Sequence, residues 1–344
     1  MEYMKLFKGN ITKEAWGTTA ASSFLVAELR KAKDPVVRHT VNGNYSLSFD
    51  YPVGGLVPLN IEADMVVSAA GQPFRIQSIQ RIGEGGKKYL RFEALHVFFD
   101  LEYSTIENIE TSETTPGGIP ATEALTQILA RTPFTKGIVD TAVVLDYLDV
   151  LQQSRLSVIK SQLLELWGGE LELDAWTVGL RKELPPVHTA QMPYRLKEYV
   201  NIRGINYSET LDGVITRLHV IGYNKANFES INDGKDYIDS PNINKYANIK
   251  EGYVTFSDDD LPEDLMAKAL EYLPTVDKPR VHIQIDIQSM KEDQRWAAFK
   301  DLETLGIGEK VSIHHSVLDM EVVTRVLHIE FNPVTGKNHR IELG

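Results

Sequence analysis

Tyr45, Leu47, Phe49 and Tyr51 alternate with Ser46, Ser48 and Asp50, the period-two pattern of a strand with one buried and one wet face. The NGN just before it is a turn. FRIQSIQRI, then IGEGGKK, then YLRFEALHVFFDLEY predicts a hairpin, with Gly83, Gly85 and Gly86 supplying the positive φ values of the reversal. Residues 1–105 therefore read as mainly β. The polar stretch TIENIETSETTPGGIP, rich in Thr, Gly and Pro, predicts a boundary loop.

The period then changes. ATEALTQILART places Leu125, Ile128 and Leu129 on one helical face, and Leu156, Ile159, Leu163 and Trp167 continue a helical spacing that stops at Gly168 and Gly169. Gly168 is placed to close that helix as a left-handed cap. ELELD and TVGLRK predict a hairpin after it, so 106–190 reads as a small α+β unit. From 191 the β pattern returns. EYVNIRGINYSETLDGVITRLHVIGY predicts a hairpin turning at Leu211, Asp212 and Gly213, and 228–250 reads as a long wet excursion with a turn at Asp233-Gly234. Asp260, Leu261, Pro262 and Glu263 offer an N-cap, a first-turn proline and a reciprocal glutamate for a helix presenting Leu265, Met266, Ala269, Leu270 and Leu273 on one side. Val281, Ile283, Ile285 and Ile287 alternate cleanly, and VSIHHSVLDMEVVTRVLHIEFNP predicts two closing strands. The class is α+β, β-rich and multidomain.

Composition narrows the functions. The 344 residues carry 36 Lys and Arg against 48 Asp and Glu, a net charge of −12, which disfavours gripping phosphate backbones but suits a channel wall that nucleic acid slides past. With 0 cysteines, disulfides, thiol nucleophiles and cysteine metal sites are excluded. No apolar run approaches the ~20 residues that span a bilayer, and the N-terminus lacks a secretory core, so a chain made as a soluble cytosolic protein is expected.

Candidate chemistry is sparse. His314 and His315 lie near Asp319 and Glu321, but neighbours on a strand face opposite ways, and a metal site is not expected there. Asp258, Asp259 and Asp260 read as helix-start acids and not as calcium ligands. GEGG at 83–86 has neither the following GK[ST] nor a helix, and there is no GxSxG elbow. His96, in ALHVFFDL, reads equally well as a buried, hydrogen-bonded histidine and as an exposed one, in a structural and not a catalytic role. Trp16, Trp167, Trp176 and Trp296 are scattered and predict no stacking platform. No catalytic, cofactor or metal residue is assigned.

Several segments in order resemble the prophage tail-protein family of tail-associated hub proteins, some labelled tail endopeptidases. They are YSLSFDYPVGG, PFRIQSIQ and FEALHVFFDL, whose signature is Ala94, His96, Asp100 and Leu101; ATEALTQILARTPF and GGELELD, with Gly168, Gly169 and Glu170; DGVITRLHVIGY, with Thr216, Arg217 and Gly222; then NDGKDYIDS and the C-terminal EKVSIHHSVLDMEVVTRVLHIEFNPVTGKNHRIELG. The resemblance implies that these residues are structural and not catalytic.

It also implies a homotrimeric hub at the distal end of a phage tail, related to the baseplate hub of contractile phages. Two barrel-like domains per chain would form a torus: 1–105 the first, and 191–240 with 310–344 the second. Residues 106–190 would be a lateral α+β domain and 241–309 an inserted one. Three chains would present six similar units, matching a six-fold tube or distal tail protein. Implied partners are further copies of the chain, that tube or distal tail protein, the tape-measure protein and receptor-binding proteins. DNA would pass without specific binding, and no cofactor is implied. Larger members are expected to carry a peptidoglycan-cleaving module beyond the point where this chain ends, so the alternative is a tail-associated endopeptidase or peptidoglycan hydrolase.

Overall fold

The structure is a computed structural model that describes residues 3–53, 61–84, 87–109, 119–140, 144–145, 150, 152–187, 194–197, 202–256, 261–287, 304–315 and 320–344. Gly85, Gly86, Asp258, Asp259, Asp260, Trp296, Asp319 and most of the predicted boundary loop lie outside them. The chain divides into two compact units, one of residues 1–205 with 284–343 and one of 206–283. Among the described residues no helix is long and apolar enough to cross a membrane.

The first unit is organised by antiparallel pairing of β1 (Lys5–Phe7), β2 (Leu25–Glu28), β3 (Lys33–Thr40), β4 (Tyr45–Pro52), β5 (Val66–Ala69), β6 (Gln72–Glu84) and β7 (Lys87–His96), in spatial order β3-β4-β7-β6-β5-β1-β2. β6 and β7 form the predicted hairpin, although Gly83 lies within β6 and does not take the positive φ expected of it, and β4 lies on β7 with Leu47 opposite Ala94 and Phe49 opposite Phe92. Tyr45, Leu47 and Phe49 are buried as the alternation requires, and the rings of Phe49 and Phe92 stack at 4.7 Å. The C-terminal strand Met320–Asn332 joins the same sheet beside β3, so sequence ends about 290 residues apart share one ladder (Ile329 opposite His39). The strand order is an open path, with no closed sheet among the described residues.

The helix α1 (Ala121–Leu129) buries Leu125, Ile128 and Leu129. The second helix runs through 155–167 with a π-helical turn at Ile159–Leu163 and buries Leu156, Ile159, Leu163 and Trp167, as their spacing predicts. Strands Glu170–Asp174 and Thr177–Arg181 are the predicted hairpin, with Thr135–Val139 added in parallel. One apolar cluster runs from Phe7, Ile11 and Ala15 through Phe98 and Leu101 to α1, Trp167 and Leu180. The change of composition near residue 106 thus marks a change of element type within a continuous core.

The second unit holds a three-stranded sheet ordered Tyr237–Asp239, Arg217–Gly222, Glu251–Phe256, covered by the helix Pro262–Val276. The hairpin expected around 211–213 does not form. Gly213 does take a positive φ of 76°, but Ile215 then donates to Val276 O and Thr216 to Lys250 O, so Arg217–Gly222 pairs with later strands and not with Ile202–Thr210. Two further readings are corrected. Leu270 is exposed, because five residues after Leu265 it has turned ~140° off the buried stripe. The N-cap of that helix is Leu261, with no side-chain cap bond, and Pro262 stands in the first turn. The excursion at 228–250 is wet for much of its length but buries Phe228 fully and is pinned at Ser240.

Candidate functional site

The hub-like signature residues fall into three groups. The first surrounds His96. This residue ends β7 and caps the 3-10 turn Val97–Tyr103, its Nδ1 accepting the Phe98 N–H at 3.2 Å. With Nδ1 an acceptor, Nε2 carries the proton and donates to Gln72 Oε1 at 3.2 Å. The same Gln72 oxygen accepts the Ala175 N–H at 2.8 Å, while Gln72 Nε2 donates to Asp174 Oδ1 at 2.9 Å. One imidazole thereby links the first β hairpin to the turn of the 170–181 hairpin. Its ring stacks on Tyr45 at 4.6 Å, and His39 covers the other side of Tyr45 at 3.9 Å.

Burial lowers the His96 pKa to about 3, with the neighbouring His39 a lesser cause, and lowers that of His39 to about 4, with His328 adding to it. A neutral, fully buried imidazole with both nitrogens occupied is a structural bracket and not a proton shuttle. Asp100 accepts two bonds from Arg75 Nε at 2.9 and 2.8 Å, and Arg75 Nη1 continues to Gly9 O and to Asp64. Burial nevertheless pushes the Asp100 carboxyl upward, against the pull of Arg75. Ala94 and Leu101 are core residues, each 1% exposed.

The second group is Gly168, Gly169 and Glu170. Gly168 ends the helix at φ 66° and ψ −159°, so its φ is positive as expected while its ψ lies outside the left-handed helical well. Asn42 donates to Gly169 O at 2.8 Å and accepts the Leu171 N–H at 2.8 Å, imitating a strand partner. Glu170 forms a bidentate pair with Arg325 at 2.6 and 2.8 Å and accepts the Leu184 N–H at 2.7 Å. It ties the α+β part of this unit to the C-terminal strand Met320–Asn332.

The third group lies in the second unit. Thr216 is fully buried and bridges Lys250 through both backbone and hydroxyl. Arg217 pairs with Asp239 at 2.7 and 2.9 Å and lies 4.1 Å over the Tyr237 ring. Gly222 is buried, and its N–H donates to Ala226 O at 2.7 Å where the chain turns. Beside Arg217, His219 stacks on Tyr253 at 4.8 Å, and its Nδ1 lies 3.1 Å from Asp236. Its Nε2 is buried with no hydrogen-bond partner among the described residues, 3.8 Å from Glu251. In the same unit Asp277 accepts from Ser240 at 2.5 Å and Asn242 at 2.8 Å.

Sequence reading alone missed Gln72, Asn42, Arg325, Asp277 and His219. His219 had a signal, since Arg217 and His219 alternate with buried Leu218 and Val220, but its acidic and aromatic neighbours come from other strands. The remaining candidates stay apart. His314 is exposed and pairs in register with Glu321, while His315 pairs with Met320. Among the described residues no group of His, Asp and Glu could hold a metal ion. Trp16 and Trp176, distant in sequence, do meet edge to face at 5.4 Å, with Phe7 5.6 Å from Trp16, as part of the core.

Comparisons with known proteins agree with the tail-protein resemblance. The family described as Prophage endopeptidase tail matches residues 191–344. No curated protein matches significantly. Among solved structures, prophage tail protein gp18 of Listeria monocytogenes superposes with a TM-score of 0.66 at 15% identity, covering 99% of this chain and 94% of that one. The 43 kDa tail protein of prophage MuSo2 from Shewanella oneidensis gives 0.64 at 9% identity, covering 100% and 98%, and a tail protein of Neisseria meningitidis gives 0.60 at 12%, covering 99% and 95%. From residue 191 onward the chain carries the sequence pattern of the Prophage endopeptidase tail family, and over its whole length it has the fold of prophage tail proteins.

Proposed function

We propose that this chain is a structural component of a phage tail tip, a hub that assembles as a homotrimeric ring, joins the tube or distal tail protein to the tip and lets DNA leave. The observation that carries the reading is the full-length likeness to three prophage tail proteins of comparable size. The signature residues support it from the other side, because each is engaged in an internal bracket and not aimed at a substrate. In this reading 1–105 and the pair 191–240 with 310–344 act as the two barrel-like ring domains, while 106–190 and 241–309 project from the ring. Six such ring domains per trimer match a six-fold neighbour, and the net charge of −12 keeps the genome from lodging on the wall.

The tape-measure and receptor-binding proteins are the further partners of this reading. Size exclusion coupled to light scattering, with and without the distal tail protein, tests it. A mass of three copies, alone or on addition of that neighbour, is expected; a monomer that ignores the neighbour would overturn it.

The rival reading is a tail-associated endopeptidase or peptidoglycan hydrolase, favoured by the word endopeptidase in the description of the matching family. Clearing of a peptidoglycan gel by the purified chain, abolished by a single acidic or histidine substitution, is the outcome that would replace the structural reading.

A further inference from the structure

A cavity of about 470 Å³ opens in the first unit between the end of α1, the segment Thr105–Asn108 and the start of the helix at 155. Its lining includes Arg131, Arg155, Gln127, Asn108 and Glu107. Arg155 is 9% exposed. It donates through Nε to Ser104 Oγ at 2.8 Å and through Nη1 to Ile128 O, which leaves three of its five N–H donors without a partner among the described residues. Neither Arg155 nor Arg131 has a carboxylate within ion-pair distance among those residues. Arg131 is held at a φ of 61°, which is costly for a side chain of its size and is kept only where the surroundings impose it.

Among the described residues of the lining, the charge balance decides what the cavity can take. Two guanidiniums contribute +2. The end of α1 contributes about −0.5, and Glu107, exposed and unpaired with either arginine, at most −1. A positive remainder at a half-buried site is unusual in a chain of net charge −12. The bonds to Ser104 and to the end of α1 account for two donors of Arg155 but not for its other three, nor for a second arginine in the same cavity. Burial, and then the nearby Arg131 charge, lower the Arg155 pKa, the direction expected of a cation that lacks its counter-ion.

We propose that this cavity is a binding site for an oxyanion, a phosphate or carboxylate group carried by a larger ligand, with the Arg155 fork as its bidentate anchor and Arg131 as the second cation. The volume exceeds what a bare phosphate fills and lies in the range of small-ligand pockets. The site stands apart from the ring reading and does not depend on it.

The test is titration of the full chain with inorganic phosphate and, separately, acetate, against chloride at equal ionic strength, following the Arg131 and Arg155 guanidinium NMR signals. Saturable shifts of both signals with phosphate or with acetate are expected, and the tighter of the two names the oxyanion. Arg131→Gln, at an exposed position, should keep the wild-type melting temperature and weaken binding about tenfold, the factor for losing one charge-assisted contact of ~1.4 kcal/mol. Arg155→Lys, which keeps the charge and loses the fork, should weaken it as well. No saturable shift with either anion, or unchanged affinity in Arg131→Gln, would overturn the proposal.

Discussion

Of the histidines that stack on tyrosines among the described residues, two do so at nearly the same distance, His96 on Tyr45 at 4.6 Å and His219 on Tyr253 at 4.8 Å, yet they do different work. His96 is fully buried, meets only neutral partners and has a depressed pKa. His219 stands on the outer row of a three-stranded sheet among Asp236, Glu251 and Arg217, next to a tyrosine that is 68% exposed. The ring pair is the same, and the partners around it differ. Around His96 two neutral partners are left unpaired when the ring is lost, whereas around His219 the neighbours are charged side chains that reach solvent, and one ring nitrogen already lacks a hydrogen-bond partner among the described residues. The sequence signature marks His96 and passes over His219, which fits the larger energetic role of the buried one.

Glu170→Ala should have the largest effect, about 3–4 kcal/mol in denaturant unfolding, because it strands the Arg325 guanidinium and the Leu184 N–H at a site where both charged partners are under a fifth exposed. His96→Ala should cost about 3 kcal/mol, from lost stacking and two orphaned polar partners, against under about 1 kcal/mol for His219→Ala. Equal costs would refute the contrast.

Acid comes next. The His96 pKa is about 3 in the folded chain and near 6.5 unfolded, so below pH 6.5 the unfolded state binds the proton and the folded state does not. Stability is unaffected above that pH and falls steadily toward pH 3, by about 2 kcal/mol from this group at pH 5. His96→Gln should flatten that part of the unfolding profile, and an unchanged slope would show that His96 does not set it. Gly168→Ala should cost about 1–2 kcal/mol by strain alone, since its φ is 66° and a Cβ there would meet nothing within 4 Å. Smallest is the exposed Arg217–Asp239 pair: Arg217→Ala should cost under about 1 kcal/mol, less again at high salt.

Much of the fold is legible in the sequence, and what is not has a common cause. Period-two and helical spacing marked β4, the β6–β7 hairpin, α1, the helix at 155–167 and the 170–181 hairpin, because each buries its own stripe next to residues close in sequence. The pattern at 202–222 correctly announces two strands but not their partners. Alternation reports which face is dry, whereas pairing is fixed by bonds from Ile215 and Thr216 to Val276 and Lys250, 61 and 34 positions later. Leu270 was misassigned because five residues carry a helix past its buried stripe. Among the signature residues, the spacing exposed the histidine and the glycines. Gln72, Asn42 and Arg325, which make those residues matter, are isolated polar positions on strands or turns with no periodic mark.

In the proposed function this chain works by assembly at the end of a tail, with its signature residues holding its own fold together. Electron microscopy of phage tails carrying a labelled copy of the chain tests it most directly. The account predicts three labels arranged in a ring at the distal end. Labels distributed along the tube, or tails that assemble without the chain, would contradict it.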